Sequence, residues 1–201
     1  MTNKEIIKHE IQKLINEKKI ITTKIQSGGV LFHEGETCEY LGYLLKGKLN
    51  ISTLSFKDKE EIISTINEGE FFGQFLIFNE SNSTYLGDVI AIKNSEIALI
   101  NKNTLDNILM TNKVFLNAYL CDISIEAFRI KQQVKMLSHK KNIDRIIYYL
   151  ENNSINKRIN IKSVTNLSKI VNLPRENVSR ILTKLVKDGY IKREDNIITL
   201  N

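Results

Sequence analysis

The stretch NLPRENVSRILTKLVKDGYI, residues 172–191, contains the only proline of a 201-residue chain. Asn172 tolerates the left-handed conformation that a tight turn between two helices needs. Pro174 has a fixed φ and no N–H, so it suits the start of a new helix and discourages the preceding helix from continuing. The two residues therefore predict a turn between two helices.

Apolar residues at helical spacing flank this turn. Before it, Ser163 is a candidate N-cap, and Leu167, Ile170 and Val171 form the inner face of a short helix. After it, a second apolar stripe consists of Val178, Ile181, Leu182, Leu185 and Val186. This pattern predicts a helix-turn-helix.

The second helix leaves polar side chains on its open face. They are Arg175, Glu176, Ser179, Arg180 and Thr183. Arg can donate two hydrogen bonds to guanine O6 and N7, and Glu can accept one from cytosine N4, so the sequence predicts a helix that reads the major groove. The alternative is an ion pair between Glu176 and Arg180 on a solvated helix surface.

The residues after Gly189, YIKREDNIITLN, alternate like a hairpin with a turn at residues 194–196, which predicts a winged helix. Phosphate contacts from the wing would add affinity without sequence information. The complete predicted DNA-binding set is Ser163, Arg175, Glu176, Ser179, Arg180, Thr183, Lys184, Lys192 and Arg193.

The positive charge lies in the same region. Residues 1–137 contain 16 Lys and Arg against 17 Asp and Glu, whereas residues 138–201 contain 13 against 6. The net charge of +6 therefore comes entirely from the last third of the chain. A basic unit on a nearly neutral body predicts a polyanionic partner, above all nucleic acid.

Further towards the N-terminus, residues 28–100 consist of short β-type runs separated by glycines. This pattern predicts a small antiparallel sandwich or barrel that follows an N-terminal amphipathic helix. Gly35, Gly47, Gly69 and Gly73 are predicted to serve tight turns.

A heptad pattern of apolar residues follows the β region and would form an apolar seam along one helix. Such a seam needs a partner helix to cover it, so the pattern predicts a parallel homodimer. The seam consists of Leu116, Leu120, Ile123, Ala127, Ile130, Val134 and Leu137. The helix could also pack on its own β domain, for which Phe115, Tyr119, Ile125 and Phe128 offer a second apolar face.

These elements predict an α+β protein with three parts: a β-roll with its N-terminal helix (residues 1–103), a long dimerisation helix (104–137) and a winged helix-turn-helix (138–201). The connection near His139 is a candidate hinge. The chain lacks a run of about 18 apolar residues and has a charged N-terminal helix in place of a signal peptide, so we expect a soluble, cytoplasmic protein.

This order of elements resembles the cyclic AMP receptor protein and fumarate–nitrate reductase regulator (Crp/Fnr) superfamily of bacterial transcription factors. The resemblance extends from about Ile25 to Asn201 and is strongest at EGEFFGQ (residues 68–74) and RENVSRIL (residues 175–182). It implies that Arg175, Glu176 and Arg180 contact base pairs and nearby phosphates. It also implies an inverted-repeat operator in double-stranded DNA with TGA-type half-sites, and RNA polymerase as a partner.

The effector pocket implied by the resemblance departs from the family pattern. The Gly-Glu pair that holds the ribose is Gly73-Gln74 here, the Arg-Ser pair that grips the cyclic phosphate aligns with Tyr85-Leu86, and the Thr-Ser pair of the long helix becomes Ile130-Lys131. Loss of the arginine forfeits roughly 2–5 kcal/mol, so we expect no physiological response to cyclic AMP. Phe75, Leu86 and Ile130 either fill the former pocket or line a site for an apolar ligand.

Other cofactors have little support in the sequence. Cys38 and Cys121 match no metal-ligand spacing, and the N-terminal cysteine cluster of the oxygen-sensing branch is missing, so we expect no iron–sulfur cluster. A haem sensor is a further alternative within the family, with His33 as the β-domain histidine. A cupin-like metal enzyme would need several convergent histidines, so we expect no enzyme. A ligand sensor that acts through a protein partner is the remaining alternative.

Overall fold

The computed structural model describes residues 2–54 and 60–201. The chain divides into two compact units, Met1–Ser124 and Ile125–Asn201, and each contains its own cluster of buried apolar side chains. No helix in the described part of the chain is long and apolar enough to cross a membrane.

The N-terminal unit begins with helix α1 (Asn3–Asn16). Thr2 and Glu5 form a capping box at its start. An antiparallel sheet follows, with strands β1 (Ile21–Ile25), β2 (Val30–Phe32), β3 (Tyr40–Leu54), β4 (Glu60–Asn67), β5 (Phe71–Phe72) and β6 (Asp88–Asn101). The strand order is β1-β6-β3-β4, with β2 paired to β6 and β5 paired to β3, which confirms the predicted antiparallel β-roll.

The four glycines expected in turns have positive φ, between 81° and 105°. At Gly47 a side chain is also excluded by space, because a Cβ atom would lie 2.7 Å from the backbone oxygen of Asn94. Glycine adopts positive φ without steric cost, and at Gly47 the close approach of the backbone leaves room for no other residue.

Two helices replace the single long helix expected over residues 104–137. They are α2 (Lys102–Thr111) and α3 (Lys113–Ser138). Asn112 separates them with an extended backbone, and its side-chain oxygen accepts a hydrogen bond from the N–H of Phe115 at 3.0 Å. The amide therefore caps α3 and ends the continuity of the helix.

The C-terminal unit contains the second half of α3 and a winged helix-turn-helix. Its elements are α4 (Asn142–Asn153), β7 (Arg158–Asn160), α5 (Val164–Ile170), α6 (Arg175–Lys187), β8 (Ile191–Glu194) and β9 (Ile197–Leu200). The sheet has the order β7-β9-β8. The sequence interpretation missed β7, whose three residues are too few to show alternation.

Candidate DNA-binding surface and effector position

The turn between α5 and α6 has the geometry that its residues predict. Asn172 has a φ of 51°, and Pro174 immediately precedes α6, where its carbonyl accepts a hydrogen bond from the N–H of Val178 at 3.1 Å. At the start of α5 the Ser163 hydroxyl accepts a hydrogen bond from the N–H of Asn166 at 3.0 Å. The N-cap prediction for Ser163 agrees with the structure, and its hydroxyl is engaged in capping.

Helix α6 buries one face and exposes the other. Val178, Leu182 and Leu185 are buried in the core of the unit. The predicted reading residues Arg175, Glu176, Ser179, Arg180, Thr183 and Lys184 are all exposed. The helix therefore presents to solvent the polar surface on which base reading depends.

Val186 was wrongly assigned to the buried stripe, because it is exposed. It lies about 80° around the helix from Val178, beyond the edge of the buried face. Together with Leu182, Thr183, Arg193 and Asp195 it lines a small depression beside the wing.

The ion-pair alternative for α6 finds no support. Among the residues that the structure describes, no ion pair joins Glu176 to Arg180. Both side chains therefore keep their hydrogen-bonding groups available at the surface.

The wing is the hairpin formed by β8 and β9, with Asp195 at a φ of 52° in its turn. Lys192 is exposed, whereas Arg193 is half-buried and donates from Nε to the carbonyl of Asp195 at 2.9 Å. Arg193 therefore stabilises the wing turn, whereas Lys192 is the more exposed of the two cations. Lys162, absent from the predicted set, is exposed with a φ of 59° just before α5.

The expected effector residues occupy different environments in the β-roll. Tyr85 is only 2% exposed, its ring stacks on Phe32 with centroids 4.8 Å apart, and its hydroxyl donates to the carbonyl of Tyr40 at 3.5 Å. Burial raises the pKa of Tyr85 well above its ordinary value. Tyr85 is therefore a core residue of the roll.

Gly73 lies beside this core. Its φ is 81°, and a Cβ atom at this position would lie 3.0 Å from Cys38 Sγ and 3.0 Å from the carbonyl of Tyr40. Burial raises the pKa of the Cys38 thiol, which indicates an apolar surrounding. The structure thus brings Gly73 and Tyr85 together around Cys38.

The other expected pocket residues lie outside this core. Gln74 is half-buried, Phe75 is exposed and Leu86 is 60% exposed, while Ile130 and Lys131 are exposed residues of α3 in the C-terminal unit. In the described part of the chain, no group of three or more His, Cys, Asp or Glu residues is placed to hold a metal ion.

None of the heptad-seam residues of α3 is fully buried. Leu116 and Ile123 are half-buried in the N-terminal unit, and Leu137 packs against the core of the C-terminal unit. The other four seam residues, Leu120, Ala127, Ile130 and Val134, are exposed.

The second apolar face of α3 is divided. Phe115 and Tyr119 are buried in the N-terminal unit as expected. Ile125 and Phe128 are exposed and belong to the C-terminal unit.

Comparison with known proteins shows what this chain is similar to. Residues 22–112 match the model of the cyclic nucleotide-binding domain. The anaerobic regulatory protein of Bacillus subtilis is 25% identical over 198 residues, which cover 94% of this chain and 81% of that protein. These matches confirm the resemblance to the Crp/Fnr superfamily.

Two further Crp/Fnr relatives show how the similarity is distributed. The cAMP-activated global transcriptional regulator CRP of Salmonella typhimurium is 37% identical over 57 residues, which cover 28% of this chain and 27% of that protein. The structure of the c-di-GMP-responsive global regulator CLP of Xanthomonas campestris covers 94% of this chain with a TM-score of 0.59 at 20% identity. Because the identity to CLP is 20%, this structural similarity shows a shared fold alone.

Proposed function

We propose that this Crp/Fnr protein is a sequence-specific, DNA-binding regulator of transcription. The observation that carries the proposal is helix α6, which the turn at Asn172 and Pro174 positions with Arg175, Glu176 and Arg180 on its exposed face. The residues around it hold all of the net positive charge of the chain. Such a helix fits the major groove, and the surrounding cations neutralise phosphates.

The proposed active form is a parallel homodimer joined through α3. The exposed seam residues Leu120, Ala127, Ile130 and Val134 form an apolar stripe that a second copy of the helix would cover. A two-fold dimer would read an inverted repeat with two copies of α6. At a promoter in the cytoplasm it would recruit or block RNA polymerase.

We also propose that the regulator does not respond to cyclic AMP and works without a metal, haem or iron–sulfur cofactor. Tyr85, which aligns with the phosphate-gripping arginine of the family, lies in the core with its hydroxyl on a backbone carbonyl. A cyclic phosphate at this position would lose its cationic partner, and burying an unpaired anion is costly.

The test is fluorescence anisotropy of the purified, ligand-stripped protein on an inverted-repeat DNA selected from genomic fragments, with and without cyclic AMP, across a salt series. We expect specific binding that weakens with salt and ignores the nucleotide. Specific binding that requires cyclic AMP would overturn the pocket proposal. A lack of any salt-dependent DNA binding would overturn the regulator and favour a sensor that contacts a protein partner.

A further inference from the structure

A cleft of about 480 Å³ lies within the C-terminal unit, between the second half of α3 and α4. Ile125, Phe128 and Met136 line it from α3, and Tyr148 and Tyr149 line it from α4. Sites for small molecules are typically concave, mostly apolar and of this size. The cleft is separate from the β-roll, where the family carries its effector.

The cleft has a closed end and an open end. At the closed end Met136 is buried, and the hydroxyl of Tyr148 donates to the side-chain oxygen of Gln132. Phe128, about two turns earlier in α3, is 63% exposed. The free chain therefore leaves an aromatic ring in water at the mouth of the cleft, which a bound ligand would cover.

The cleft lies on the opposite side of α3 from the heptad seam. Its α3 residues 125, 128, 132 and 136 follow one another at spacings of 3, 4 and 4, whereas the seam runs through Ala127, Ile130 and Val134. These two stripes face away from each other on a helix. A partner helix on the seam would leave the cleft open, so the occupant is not the second copy of α3.

The polar groups of the cleft favour a neutral occupant. Among the residues that the structure describes, the lining includes one cation, Arg129, and its Nη1 lies 2.7 Å from the Oε2 of Glu126. The amides of Asn152 and Asn153 donate to the carbonyls of Tyr148 and Tyr149 at 2.8 Å, so their side-chain oxygens can accept a hydrogen bond from a ligand, as can the side-chain oxygen of Gln133. An anion would meet a neutralised cation, and a flat ring would meet aromatic faces.

We propose that this cleft binds a neutral, flat aromatic molecule that carries a hydrogen-bond donor, and that its occupancy fixes the angle between α3 and α4. The claim that occupancy of the cleft controls DNA binding rests on the proposed function. In a dimer joined through α3, that angle sets the separation of the two α6 helices. A ligand that binds the protein more tightly at one angle between α3 and α4 than at another would therefore change the affinity of the dimer for the operator.

The first experiment titrates the full-length protein with N-phenyl-1-naphthylamine, a neutral fluorescent aromatic amine, and with 8-anilinonaphthalene-1-sulfonate, which adds an anionic group to the same ring system. We expect saturable binding of the neutral probe at one site per chain, at least about tenfold tighter than binding of the anionic probe. Equal or tighter binding of the anionic probe would overturn the proposed ligand class.

Two variants locate the probe. Phe128→Ala removes an exposed ring at the mouth of the cleft and is expected to weaken binding of the neutral probe at least about fivefold. Met110→Ala, an 84% exposed residue of α2, is the matched control and is expected to bind the probe like the original chain. Circular dichroism checks that both variants are folded. Equal affinity in both variants would place the probe elsewhere and overturn the site.

The second experiment repeats the DNA titration with the neutral probe at saturation. We expect the operator affinity to change at least about threefold in the original chain, with a smaller change in Phe128→Ala at a probe concentration that just saturates the original chain. An unchanged affinity with the probe bound would overturn the coupling to DNA. If the protein bound no DNA at all, the proposed function would fail, and the probe titration would still decide the cleft.

Discussion

Tyr85 and Leu86 are adjacent in sequence but lie in opposite environments. Tyr85 packs on Phe32 in the core, while Leu86 faces solvent. Their alignment with a family pair that binds a cyclic phosphate therefore says little about what either side chain does here. The environment of Tyr85 is set by Phe32 of β2 and Tyr40 of β3, which lie far from it in sequence, so no motif at residues 85–86 reveals it.

The two residues are expected to differ in their effect on stability. Tyr85→Ala should lower the free energy of unfolding by about 3–5 kcal/mol, because it leaves a cavity in the core. Leu86→Ala should change it by no more than about 0.5 kcal/mol, since the side chain is already exposed. Urea unfolding followed by circular dichroism measures both. A mild effect of Tyr85→Ala would mean that Tyr85 is not a core residue.

Arg180 and Lys192 are expected to differ in what they contribute to DNA binding. Arg180→Ala should cost about 1–3 kcal/mol on the operator and relax discrimination at one base pair, because Arg180 lies on the exposed face of α6 that we propose contacts the bases. Lys192→Ala should weaken binding to operator and random DNA alike and reduce the salt slope by about 1. Anisotropy titrations on both DNAs measure the difference. Equal losses on both DNAs for Arg180→Ala would remove its base-reading role.

At the scale of elements, the turn between α5 and α6 depends on one backbone conformation. Asn172 has a positive φ, which a β-branched side chain rarely adopts. Asn172→Val should therefore lower the free energy of unfolding by about 1–2 kcal/mol. Asn172→Gly is the control, expected within about 0.5 kcal/mol because glycine adopts positive φ freely. Thermal or urea unfolding tests the pair, and equal costs would show that the turn does not depend on φ at this position.

Helix α3 shows how one element carries several surfaces. Its first half buries Phe115 and Tyr119, its centre exposes the heptad seam, and its second half lines the cleft with Ile125 and Phe128. The sequence revealed the seam as a regular heptad. The cleft residues at positions 125, 128, 132 and 136 also have helical spacing. They were not predicted as one face, because the stripe includes the polar residue Gln132 and because Ile125 and Phe128 were assigned to packing on the roll.

At the scale of the whole molecule, the seam is expected to decide the oligomeric state. Val134 is 62% exposed in the single chain, so Val134→Glu should fold normally but raise the dimer dissociation constant by at least about tenfold, because it buries an unpaired charge in the interface. Sedimentation equilibrium measures the constant. The exposed Cys121 lies off the seam, so Cys121→Asp is the control and should leave the dimer intact.

The operator affinity of these variants provides the link to function. A monomeric Val134→Glu protein should bind a half-site as before and lose its preference for the complete inverted repeat, because only one α6 helix is engaged. A dimer that survives Val134→Glu unchanged would exclude the seam as its interface.

The sequence by itself determined the features that depend on local backbone preference and on charge. The turn at Asn172 and Pro174, the four glycine turns and the basic last third of the chain were predicted because φ preferences and charges belong to the residues themselves. The tertiary structure decided which apolar side chains are buried. Tyr85 enters the core, Val186 stays outside, and Ile125 and Phe128 line a cleft, because burial depends on which other elements pack against a side chain.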